Sequence, residues 1–64
     1  MDAMPYILVV EDNPDWREAL CAYLEKSGYE VAGEPNGHRA VSSILERIPD
    51  LIALDLYMPQ MDGS

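Results

Sequence analysis

The chain has 64 residues, of which 12 are acidic and 4 basic, giving a formal net charge of −8, and 48% are hydrophobic, the balance of one small globular domain with a thin core. A single cysteine excludes an internal disulfide scaffold. No apolar run approaches the roughly 18 residues of a membrane span, and the acidity argues against nucleic-acid or anionic-membrane binding while suiting a cation or a basic partner. With no basic segment and long apolar stretch at the N-terminus, the expected location is the cytoplasm.

Tyr6 to Val10 (YILVV) is a continuous apolar run rich in branched residues, which predicts a strand buried on both faces of a parallel sheet. In Glu11-Asp12-Asn13-Pro14, Asp12 or Asn13 can cap a helix and Pro14 suits its first turn. Trp16, Leu20, Tyr23 and Leu24 repeat as an apolar stripe, with Arg17, Glu18, Glu25 and Lys26 falling off it, and Gly28 is placed to end the helix in a left-handed cap. Tyr29 to Ala32 predicts a short second strand, followed by a breaker cluster over 33–37 in which Asn36 can cap the next helix. From His38 to Ile48, Ala40, Val41, Ile44, Leu45 and Ile48 have helical spacing. After Pro49-Asp50, Leu51 to Leu54 predicts a third strand ending at Asp55, and 56–64 reads as a loop. The resulting order is βαβαβ, an α/β pattern that implies a parallel sheet with right-handed crossovers.

A parallel sheet gathers the carboxyl ends of its strands on one edge. Glu11-Asp12 close the first strand and Asp55 the third. If the helices leave on opposite faces, the strand order is 2-1-3 and these ends are neighbours at the crevice where open α/β sheets bind ligands. Three carboxylates crowded there would raise one another's pKa unless a cation intervened, and oxygen donors of this kind suit Mg²⁺. Acids at strand ends also serve as solvated turn residues. Their coincidence at two strand ends favours a site.

V-V-E-D-N-P at 9–14 and L-D-L-Y-M-P-Q-M-D-G at 54–63, with Asn36-Gly37 and Pro49-Asp50-Leu51-Ile52, resemble the receiver domain of two-component response regulators. The resemblance runs from Tyr6 onward and implies a three-layer, flavodoxin-like parallel sheet, here βαβαβ in strand order 2-1-3. It implies that Asp55 is the phosphoacceptor, receiving a phosphoryl group from a sensor histidine kinase or phosphotransfer protein. It further implies that Asp12 and Asp55 ligate Mg²⁺ with Glu11 nearby, and that Tyr57 supplies a backbone carbonyl. The expected class is a regulatory phosphoacceptor and not an enzyme.

The sequence departs from the family pattern at Glu34-Pro35, where small residues are common before Asn-Gly. It is also short, since a full receiver has about 110–125 residues, within ordinary domain size. Residues 1–64 are therefore expected to form a partial receiver, without the Ser or Thr and the Lys that in the family contact the phosphoryl group. Neither Lys26 nor Ser64 is placed to replace them, so phosphorylation is expected to be impaired. A rival reading is a non-phosphorylated interaction module forming homo-oligomers through an unpaired third-strand edge. A second is an aspartate-dependent phosphohydrolase, which Tyr57 disfavours because it stands where such enzymes usually repeat an acid. Of the remaining residues, His38 is expected at the surface and Trp16 and Tyr23 in the core. Met58 and Met61 are expected to pack within the loop, and Cys21 to be a small buried residue and not a nucleophile.

Overall fold

The computed structural model describes residues 4–54. Asp55, Tyr57 and the expected loop over 56–64 lie outside the described residues. Five elements follow in order: β1 (Tyr6–Val10), α1 (Pro14–Lys26), β2 (Glu30–Glu34), α2 (Gly37–Glu46) and β3 (Leu51–Leu54). The strands form one parallel sheet in the order β2-β1-β3. The crossover direction reverses after β2, so right-handed connections place α1 and α2 on opposite faces. The α/β class, the three-layer arrangement and the 2-1-3 order agree with the sequence reading.

β1 is the centre of the core. Tyr6, Ile7, Leu8 and Val9 are all buried, Leu8 and Val9 almost completely, as a strand covered on both faces requires. The helix ends follow their sequence signals. Asn13 caps α1 by accepting from the Trp16 amide, Pro14 occupies the first turn, and Gly28 follows with φ +99°. Asn36 caps α2 by accepting from the Arg39 amide.

Several details differ from expectation. β2 runs to Glu34, through residues read as breakers, because its ladder with β1 continues through Val9↔Gly33 and Val10↔Glu34; strand pairing overrides a weak local preference. α2 starts at Gly37 and ends at Glu46, leaving Ile48 outside it. The inward line of α1 is Arg17, Leu20, Cys21 and Leu24, all half-buried, whereas Trp16 and Tyr23 are exposed. The wrapped face is thus rotated from the expected stripe, and the flexible stem of Arg17 serves as its apolar surface. On α2, Ala40 is buried and Ile44 half-buried, while Val41 and Leu45 lie on the solvent side.

The amino-terminal edge of the sheet is tied by polar contacts. The Tyr6 amide donates to Asp50 Oδ2 at 2.7 Å and the Asp50 amide returns a bond to the Tyr6 carbonyl at 2.8 Å. Arg47 donates to both carboxylate oxygens of Glu30, at 2.6 and 2.8 Å, with its guanidinium 4.0 Å above the centre of the Tyr6 ring. This fork holds the Glu30 carboxyl below the usual glutamate range.

Two outcomes follow from this packing. Leu8→Ala should cost about 2–5 kcal/mol by chemical denaturation, because its site is sealed on both faces. The Glu30 contribution is complete above the unfolded-state pKa and is lost as pH falls through the depressed folded value. Glu30→Gln should therefore lower the thermal midpoint slightly at pH 7, the pair being exposed, and the gap from the parent chain should close in acid.

Candidate functional site

The carboxyl-terminal edge of the sheet holds the candidate site. The ladder of β1 reaches one residue past the strand, with the Glu11 amide donating to the Glu34 carbonyl at 3.0 Å. There the chain turns. Glu11 is buried, only 4% exposed, and its Oε2 accepts from the Asn13 amide at 2.9 Å. Asp12 and Asn13 are exposed. The acidic pair thus comprises one inward carboxylate that braces the turn and one open to solvent.

Val10 pairs in register with Leu54. Glu11 and Asp55 are the next residues along the chain from these partners, so the paired rows of β1 and β3 lead toward the expected site from neighbouring strands. Of the expected site residues, Glu11 and Asp12 come together at the end of β1; Asp55 and Tyr57 lie outside the described residues. Among the described residues, no three His, Cys, Asp or Glu side chains gather as a metal-binding group. The donors that are present suit Mg²⁺ nonetheless: two adjacent carboxylates, oxygen donors only, one of them facing solvent.

Arg17 is a site neighbour the sequence reading left on the outer face. Its Nη1 donates to the Glu11 carbonyl at 2.8 Å, and its backbone amide donates to the Asn13 carbonyl, also at 2.8 Å. The signal that could have revealed it is the spacing of Arg17, Cys21 and Leu24, which falls on one helix face. Cys21, a free and half-buried cysteine, lies on that face. Burial first, then the negative charge of Glu25, push its thiol upward, against a smaller lowering by Arg17. His38 is exposed, as expected.

A parallel sheet in 2-1-3 order with acids at the end of its central strand is the frame of a doubly wound α/β switch-point site. The response regulator receiver domain family matches residues 7–64, and the chain belongs to that family, a regulatory class of two-component signalling. It is 43% identical over 58 residues to the chemotaxis protein CheY of Thermotoga maritima, covering 89% of this chain and 48% of that protein. It is also 43% identical over 58 residues to a protein-glutamate methylesterase/protein-glutamine glutaminase of Hahella chejuensis, covering 89% and 17%. The virulence factors putative positive transcription regulator BvgA of Bordetella pertussis is 40% identical over 58 residues, with 89% and 28% covered. The chain thus spans half or less of the length of these relatives. Among the described residues no helix is long and apolar enough to cross a membrane.

Asn13 links the turn to the helix through its side chain. Asn13→Ala should therefore destabilise the chain by about 1 kcal/mol, the usual cost of losing an N-cap, measurable by urea denaturation.

Proposed function

We propose that this chain is a phosphoacceptor module of a cytoplasmic two-component pathway, in which Asp55 receives a phosphoryl group from a histidine of a sensor kinase or phosphotransfer protein. In the transfer a carboxylate oxygen of Asp55 bonds to phosphorus, the P–N bond of the donor phosphohistidine breaks, and its electron pair returns to the imidazole nitrogen. Glu11, Asp12, Asp55 and the backbone carbonyl of Tyr57 are the residues that would hold Mg²⁺. When bound, Mg²⁺ supplies charge neutralisation where two anionic groups approach one another.

The observation that carries this reading is the in-register Val10↔Leu54 pair, from which the chain continues into Glu11-Asp12 on one side and Asp55 on the other. The family match over residues 7–64 adds to it, because it extends across Asp55 and Tyr57. Within the described turn, Glu11 acts as a brace through its bond from the Asn13 amide. Asp12, exposed beside it, is the more accessible donor.

A second reading has its own support. β3 pairs with β1 on one side only among the described residues, and Leu51, Ile52 and Leu54 are exposed. An apolar open edge of this kind recruits another strand, here from a second copy. A net charge of −8 opposes that association, so light scattering should show a dimer fraction that rises with ionic strength; a monomer at every salt concentration contradicts it.

The phosphoacceptor reading is tested with acetyl phosphate and Mg²⁺. The expected product is a single phosphoryl adduct by mass spectrometry, cleaved by hydroxylamine, absent with chelator and absent in Asp55→Asn. The yield is expected to be low, in keeping with the impaired phosphorylation expected from the sequence; an adduct that survives Asp55→Asn contradicts the assignment.

A further inference from the structure

We infer that Arg17 is the positioning residue of the acidic turn, and that a side chain at Gly33 on β2 would press on the Arg17 stem and disturb its reach to that turn. The inference rests on the reading of Glu11 and Asp12 as cation ligands and adds what sets their backbone.

Arg17 reaches the turn through its side chain: the guanidinium Nη1 donates to the carbonyl of Glu11 at 2.8 Å. The carbonyl of Asn13 takes the first bond of α1, from the backbone amide of residue 17 at 2.8 Å. Asp12, the exposed acid, therefore sits between a carbonyl held by the Arg17 side chain and one held by the helix backbone. The Glu11 amide is meanwhile fixed by the Glu34 carbonyl, and the Asn13 amide by Glu11 Oε2. The conformation at Asp12 is therefore set by bonds at both of its neighbours.

To reach the Glu11 carbonyl from α1, the Arg17 stem lies across β2 at Gly33. A Cβ at Gly33 would stand 3.1 Å from Arg17 Cγ, 3.2 Å from Arg17 Cδ and 3.2 Å from Cys21 Sγ. These separations are tighter than ordinary van der Waals contact, so the stem would have to move. Gly33 has no left-handed backbone to explain it, and a strand interior disfavours glycine. Close approach by Arg17 is the reason on view. A residue on β2 thereby acts on an acid of the turn after β1 through a side chain of α1.

The test uses the unmodified chain with Arg17→Met, Arg17→Lys, Gly33→Ala and the Arg17→Met/Gly33→Ala pair. Mg²⁺ alone is titrated by calorimetry, and amide exchange at Asp12 and Asn13 is followed by NMR without metal. Arg17→Met, which keeps the stem and loses the donor, should weaken Mg²⁺ binding about tenfold, as loss of an outer-shell partner does, and should speed exchange at Asp12 and Asn13. Arg17→Lys should recover part of both. Gly33→Ala should act in the same direction, and the double variant should bind no more weakly than Arg17→Met, because the tether it disturbs is already gone. A lowered thermal midpoint with unchanged Mg²⁺ affinity and unchanged exchange would reduce Arg17 to a packing residue and overturn the inference, as would independent, multiplying effects of the two substitutions. If the unmodified chain takes up no Mg²⁺, the cation reading fails; faster exchange at Asp12 and Asn13 in Arg17→Met still upholds the positioning role, and unaltered exchange refutes it. Should Arg17→Met fail to fold, Gly33→Ala alone decides by the same two measurements.

Discussion

β1 pairs on both sides, and the rest of the described structure is arranged around that fact. Its five residues satisfy their backbone groups against β2 and β3, and four of them are buried. A chain this short has little apolar area to spend on cohesion, so concentrating it in one doubly paired strand secures the most from it. The two edges of the sheet then differ in chemistry. At the amino-terminal edge, Arg47 pairs with Glu30 above the Tyr6 ring, and the Asp50 carboxylate accepts from the Tyr6 amide. At the carboxyl-terminal edge the acids of the β1 turn accumulate, with Arg17 directed at a backbone carbonyl. One edge holds an ion pair and the other leaves Asp12 open to solvent.

Most of the architecture was legible in the residue pattern. YILVV reads as a strand covered on both faces, and Pro14, Gly28 and Asn36 mark helix ends by local physics that does not depend on the fold, while the cap of α1 is open between Asp12 and Asn13 until the bond to Asn13 decides it. The misreadings share a cause. Trp16 and Tyr23 are large and apolar, so hydrophobicity alone assigned them to the core; the neighbouring line of Arg17, Leu20, Cys21 and Leu24 is the one that meets the sheet. Hydrophobic spacing locates a helix face only to within about one residue's rotation when a long cationic stem can pack as hydrocarbon. Gly33-Glu34 looked like a breaker because strand propensity is local, whereas the ladder with Val9 and Val10 is not.

The site was legible to a different degree. Glu11 and Asp12 are conspicuous as acids after an apolar run, and their shared position at the end of β1 follows from the βαβαβ order. Their unequal roles could not be read from spacing. Burial of Glu11 and its bond from the Asn13 amide make it a brace of the turn, while Asp12 stays open. Sequence identifies which oxygens are near one another, and only the backbone path through the turn assigns which one faces outward.

The contact between the Arg17 stem and Gly33 also has a consequence for inheritance. Positions 17 and 33 sit on different elements and are separated by most of α1 and the start of β2, yet a Cβ at 33 would stand 3.1 Å from the stem at 17. A side chain gained at 33 presses on the stem at 17, so the two positions should drift as a linked pair. Lineages that fill the β2 position would then be the ones that have found another way to hold the acidic turn.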